Sequence, residues 1–312
     1  MSPEPAKGPR LEGRATTRVH RAPRAQRVRR QLVGLAFVAP ALVLILAFIV
    51  YPMYSDVRLS LTNENLLIPT PQFVGLATYG QLLHDPTFLL AARHTISWVV
   101  LVVTLSLVGG YVFGMLLSTG FRGSSVILSL LLTVWVMPEV VSAVAWKWMF
   151  NPELGVIPYL LGHLGVHVLP LSYNDALFSL AFVLAWRLTP LVVLLVYTAV
   201  RSLPTGLFEA SEIDGASWLS QVRYISTPLL RYPLVVGALL MGIYTLQDFT
   251  TIWVITQGGP VQASEILPTM IYRYGFQNFA FGTSAAASFL YLVVILIVAL
   301  AYLVVLRPLA PE

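Results

Sequence analysis

The sequence predicts an all-α polytopic membrane protein with about six transmembrane helices, and three observations carry that prediction. The chain of 312 residues is 57% hydrophobic and 11% charged, against roughly 25% charged in a soluble domain. Its mean hydropathy is +0.78. Its apolar residues gather into six runs, at residues 32–54, 95–119, 124–150, 175–200, 232–256 and 284–306. About 20 residues are needed to cross about 30 Å of hydrocarbon at 1.5 Å per residue. The runs are continuously apolar and too long for barrel strands, so each must satisfy its own backbone hydrogen bonds as a helix.

Ahead of the first run stand nine of the 19 basic residues, Lys7 and Arg10, Arg14, Arg18, Arg21, Arg24, Arg27, Arg29 and Arg30. Residues 1–30 carry too little apolar surface to fold alone and read as a disordered basic tail, with the transmembrane domain at 31–312. The tail is expected to hold the N-terminus in the cytoplasm. A grip on anionic lipid or nucleic acid is the alternative, and no nucleic-acid partner is expected. A cleaved signal peptide is not expected, because the first run is too long for one and ends in VYPMYS. With the N-terminus inside, fourteen basic residues fall on the cytoplasmic side against Arg58, Arg93 and Arg273 outside. Both termini are then cytoplasmic.

The connections differ in kind. GFRG at 120–123 is a tight inner turn, whereas residues 55–94, 151–174 and 257–283 are longer outer loops. The inner loop at 201–231 is patterned as helix. Pro204 and Thr205 start a short helix, Gly215 can end it in the left-handed conformation, and Ser217 can cap a second one that Pro228 stops. Leu207, Phe208, Ile213, Trp218 and Leu219 would leave this knuckle with an exposed apolar face, which suits docking into another protein. An interfacial helix lying on lipid is the alternative, disfavoured by Glu209, Glu212 and Asp214.

Several chemistries are excluded. The chain has no cysteine, so disulfides and Cys-based metal sites are absent. Its two lysines, Lys7 and Lys147, are followed by Gly8 and Trp148, so no P-loop can form, and no two glycines are two apart, so the G-x-G-x-x-G dinucleotide fingerprint is absent. No catalytic residue, cofactor or metal is expected. His163 and His167 lack an HExxH context and read as solvated. Gly110 and Gly114 read as a close helix contact. Pro40, Pro138 and Pro190 imply kinks.

Charges within a span cost about 2.5–3.5 kcal/mol each by insertion scales. Lys147 lies near a predicted outer end and can snorkel. Counting 1.5 Å per residue from the predicted outer ends puts Glu139 about 16 Å deep, Arg187 about 17 Å and Asp248 about 13 Å. These three are expected to line or support a polar cavity near the midplane, with Arg187 close to one carboxylate; a buried ion pair that only fixes packing is the alternative. Trp186, Tyr244 and Thr245 lie within a turn of them, offering the flat apolar faces and hydroxyl partners that a sugar needs.

The 201–231 loop resembles the EAA motif of binding-protein-dependent ABC permeases, E-A-A, three residues, G, nine residues, I, one residue, L-P. Glu209, Ala210, Gly215, Ile225 and Pro228 match, while Ser211 stands for the second Ala and Thr227 for Leu. Three further blocks are similar to the sugar-type members, of the maltose or glycerol-phosphate kind: Phe73 to Pro86, Pro138 to Gly155, and Trp253 to Pro260 followed by Tyr272 to Gly282. The resemblance implies a multi-pass permease of a bacterial or archaeal cytoplasmic membrane, half of a translocation path for a sugar or related carbohydrate. It implies three partners besides the lipid bilayer: ATP-binding cassette ATPase subunits that hydrolyse ATP in its stead, a second homologous permease, and an extracytoplasmic solute-binding protein. On this resemblance Glu209, Ala210, Ser211, Asp214, Gly215, Ile225 and Pro228 form the ATPase-coupling contact, and the helix 4 and 5 positions above line the path. A self-sufficient secondary transporter or channel is the alternative, requiring inverted repeats and no docking knuckle.

Overall fold

The computed structural model describes residues 37–306 apart from 68, 69, 167 and 168; the basic tail, His167 and Arg307 lie outside the described residues. The chain divides into two units at Ser55/Asp56. Of the first, the described part belongs to α1, Phe37–Ser60, which carries Pro40 and a π-turn at Leu46–Val50. The second unit contains α2 (Ala77–His84), α3 (Pro86–Ser118), α4 (Ser124–Val136), α5 (Glu139–Met149), α6 (Val156–His163) and α7 (Ala176–Arg201). It continues with α8 (Thr205–Ile213), α9 (Trp218–Leu229), α10 (Arg231–Gln247), α11 (Thr250–Ile255), α12 (Leu267–Tyr272) and α13 (Phe281–Leu306). Among the described residues no strand occurs, only one bridge pairing of Thr62 with Phe73.

Four helices, α1, α3, α7 and α13, are long and apolar enough to span unbroken. The third and fifth predicted runs are not continuous helices. α4 and α5 meet at 98°, and α9 and α10 at 69°. Pro138 explains the first break, since it has no N–H to donate and forces the preceding residue out of the helical region; Met137 accordingly sits at ψ 134°. The fifth run stops at Gln247, and Asp248 turns extended with ψ 120° before α11 begins. The Leu246 carbonyl that the break frees accepts the Tyr291 hydroxyl at 2.5 Å.

Helix direction fixes how the bundle is threaded. A Cβ on Gly110 would lie 2.3 Å from Val192 Cβ, and one on Gly114 would lie 2.7 Å from Val196 Cβ. The expected close contact is therefore real, and it makes α3 and α7 parallel, so the α4–α5 pair must return across the bundle between them. α7 is the hub: 56% of an 18-residue apolar stretch of it is buried, against 28% for α3 and 17% for α13. Its Leu180, Leu184, Leu188, Val192 and Val196 build the main core with Trp98 and Val102 of α3, Met241 of α10 and Ile252 of α11. α7 stays one helix through Pro190.

α3 begins at Pro86 rather than at residue 95, because Asp85 caps it by accepting the Thr87 N–H at 2.9 Å and Pro86 fits the first turn. At 33 residues it is about 50 Å long, more than the ~30 Å that a crossing needs, and its first turns lie ahead of the predicted run. There they join a cap with its own small core, Leu82 of α2, Phe88 and Ala91 of α3, Leu267 and Met270 of α12, and Ala286 and Ala287 of α13. Glu265, 2% exposed, pairs with Arg273 at 2.6 Å, and Gly258 at φ +86° leaves room for that carboxylate. Burial, reinforced by the Asp85 carboxylate, pushes the Tyr274 phenol up to about 12. It stays protonated and donates to Asp85 at 3.4 Å.

Candidate functional site

At the opposite end, the 201–231 loop forms the expected two-helix knuckle. α8 runs from Thr205 to Ile213, and Gly215 follows at φ +77°, the left-handed stop that glycine adopts without strain. The Ala216 N–H then returns to the Ser211 carbonyl at 2.9 Å. Ser217 caps α9 through the Ser220 N–H at 3.4 Å. Pro228 does not end that helix: a π-turn at Val222–Ser226 leads into it, and the bend comes at Leu230.

Glu209, Ala210, Asp214 and Gly215 are exposed, while Ser211, Ile225 and Pro228 are half-buried. Ile213, Leu219 and Trp218 are 87%, 67% and 52% exposed, an apolar load too large for a surface that faces only water. Phe208 turns inward instead. It and Trp218 line a cavity of about 670 Å³ between the knuckle and the ends of α3 and α7.

The three mid-span charges meet. Arg187 Nη2 donates to Glu139 Oε1 at 2.9 Å, and Asp248, 3% exposed, lies near enough to feel both charges. Asp248 Oδ1 accepts the Thr251 hydroxyl at 2.9 Å; among the described residues Oδ2 has no donor in reach. Depth counted along unbroken helices does not hold, because Glu139 is the first residue of α5 and Asp248 sits at the end of α10. Both helix breaks bring a carboxylate to the middle of α7, and that brings the charges together. Glu139 and Arg187 side chains are 33% and 17% exposed, so the pair opens to one side with Asp248 behind it.

The neighbours divide. Trp186 packs edge-on against Trp146 at 5.4 Å, and Tyr244 is 42% exposed. Thr245 is 1% exposed, and its hydroxyl donates to the Met241 carbonyl, so it offers no free hydroxyl. Lys147 does more than snorkel, donating to the Val254 carbonyl at 3.0 Å and tying α5 to α11. Among the described residues no group of three or more acidic and histidine side chains is placed to hold a metal. The sequence reading missed Gln221, Tyr111 and the Glu265–Arg273 pair; Glu265 carried a signal, being an acid eight residues before Arg273 in an otherwise neutral stretch.

A family model described as binding-protein-dependent transport system inner membrane component matches residues 106–309. The chain belongs to that family. The permease is 32% identical to a probable ABC transporter permease of Pyrococcus horikoshii, over 86% of its own length and 93% of the relative's. It is 30% identical to the trehalose/maltose transport system permease of Thermococcus litoralis, covering 88% and 94%. It is 34% identical to the sn-glycerol-3-phosphate transport system permease of Salmonella choleraesuis, covering 84% and 90%. A chain in the crystal structure of a bacterial alginate ABC transporter, bound to an alginate pentasaccharide-loaded periplasmic protein, shares the fold with a TM-score of 0.77 at 17% identity, covering 91% of the permease and 97% of that chain. The permease is thus a multi-pass ABC transporter subunit, a transport component without chemistry of its own.

Proposed function

We propose that the permease imports a neutral carbohydrate as one half of a translocation path, driven by a separate ATPase that grips the α8–α9 knuckle. The exposed knuckle carries this reading: its apolar tip is turned by the left-handed Gly215 and flanked by Glu209, Ala210, Ser211 and Asp214, with Ile225 and Pro228 leading to its junction with α10. Both termini face the cytoplasm with the knuckle, in a bacterial or archaeal cytoplasmic membrane. A solute-binding protein delivers substrate to the cap end, and a second permease closes the open side of the Glu139–Arg187 pair.

Substrate class follows from the charges. Arg187 is already held by Glu139 and faces Asp248 as well, so the cluster has no positive charge to spare for a phosphate. Trp186 and Tyr244 supply sugar-stacking faces, and Glu139 and Asp248 supply acceptors for hydroxyls. The relatives named for trehalose/maltose and for glycerol phosphate transport are similar to this chain at 30% and 34% identity, so the choice between the two rests on the charges of the site.

Affinity purification from native membranes tests the partnership. A P-loop ATPase should accompany the wild-type chain and be lost from Glu209→Ala and Gly215→Val. Uphill solute uptake by the chain reconstituted alone would overturn the proposal in favour of a self-sufficient carrier.

A further inference from the structure

The knuckle stands off from the bundle. The cavity of about 670 Å³ separates much of its inner face from the ends of α3 and α7, so packing, which reaches the main core through Val222 of α9, leaves α8 without a close-packed path to the helices. Among the described residues, one side-chain hydrogen bond joins α8 to α9, and one joins the Thr205–Leu229 segment to another span. Gln221 Nε2 donates to Ser211 Oγ at 3.0 Å, and Tyr111 of α3 meets Thr227 Oγ1 at 2.5 Å.

Both bonds use the two residues at which this chain departs from the EAA pattern, and both are built alike. The Ser211 hydroxyl donates to the Phe208 carbonyl at 2.7 Å, so toward Gln221 it can only accept. The Thr227 hydroxyl donates to the Val222 carbonyl at 2.7 Å, so Tyr111 must be the donor to it. That carbonyl opens the π-turn, and the Thr227 N–H bonds it as well. Ala and Leu, the pattern's residues, would leave Gln221, 8% exposed, and Tyr111 without these acceptors.

We infer that Ser211 and Thr227 are positioning residues that make the knuckle and α3 one mechanical body, the first clamping α8 to α9 and the second pinning α9 to α3 through Tyr111. The linkage lets a push on the α8 tip move α3, and with it α7, which packs on α3 at Gly110 and Gly114. Its role in coupling rests on the ATPase contact proposed above; its existence as a clamp does not.

Two measurements separate these claims. In the full chain in lipid nanodiscs, Tyr111→Phe and Thr227→Val should each speed amide exchange across Thr205–Ser226 by about three- to tenfold, the range expected for one lost hydrogen bond. The double variant should be no faster than Thr227→Val alone, which also loses the hydroxyl bond to the Val222 carbonyl, and exchange in the middle of α7 should not change. Unchanged exchange, or additive effects, would overturn the linkage whatever drives the transporter. In the reconstituted importer the same variants should retain ATP hydrolysis while solute moved per ATP falls at least threefold. A fall in hydrolysis and transport together, at constant ratio, would reject the coupling role. Failure of any ATPase to bind the wild-type chain would instead refute the proposed function, leaving the exchange result to decide the clamp.

Discussion

Arg187 cannot be treated apart from the carboxylates that face it. Removing one partner of a buried ion pair costs about 3–5 kcal/mol, because the charge left behind has lost its compensation; with Glu139 one-third exposed solvent screening brings the cost below that range, to about 2–3 kcal/mol. Arg187→Met is expected to lower the stability of the nanodisc-embedded permease by that amount, read as a fall in melting temperature. Adding Glu139→Gln should restore part of the loss, since one fewer carboxylate is then unpaired, and a double-mutant cycle isolates the pair. Additive losses would mean that the two side chains do not depend on each other. The company of these residues was legible because charges are rare in apolar runs and seek one another. Their positions were not, because the depth count assumed that residues 124–150 and 232–256 were each one straight helix.

At the scale of elements, the contact of α3 with α7 is decided by two hydrogen atoms. Gly110 and Gly114 let the helices approach until Val192 and Val196 sit where a methyl group would go. Gly110→Ala is expected to destabilise by about 1–3 kcal/mol through overpacking, despite the better helix propensity of alanine. Gly80→Ala, with nothing within 4 Å of its new methyl, should be neutral or stabilise by up to about 1 kcal/mol. Thermal unfolding of both variants in nanodiscs checks the contrast, and equal melting temperatures would deny that the helix approach is close. The glycine pair was legible from its four-residue spacing, as was the knuckle from Pro204, Gly215 and Ser217. Pro138 announced a kink, but not one of 98°. The break at Asp248 carried no proline or glycine. It depends on Tyr291 taking the Leu246 carbonyl that the interrupted helix releases and on Thr251 donating to the Asp248 carboxylate, and a partner 45 residues away leaves no mark on a local pattern. The Tyr111–Thr227 bond, across 116 residues, was hidden for the same reason.

For the molecule as a whole, the parallel course of α3 and α7 requires a crossing between them, and α10 must return from the knuckle before α13 descends from the cap. The connections therefore alternate sides, with residues 119–123 and 202–230 at the knuckle end and residues 150–175 and 256–280 at the cap end. The proposed orientation, with the knuckle cytoplasmic, rests on charge: nine basic residues precede the first span, and Arg122, Arg201, Arg223 and Arg231 lie in or beside the inner connections. The absence of cysteine makes the wild-type chain its own background for labelling. Glu153→Cys and Gly162→Cys, both exposed and beyond α5, should react with a membrane-impermeant maleimide on intact cells. Thr119→Cys and Ser202→Cys, exposed beside the knuckle, should react only after the membrane is opened. The reverse pattern would turn the knuckle outward, where no ATP is available, and the energy source proposed for the permease would have nothing to grip.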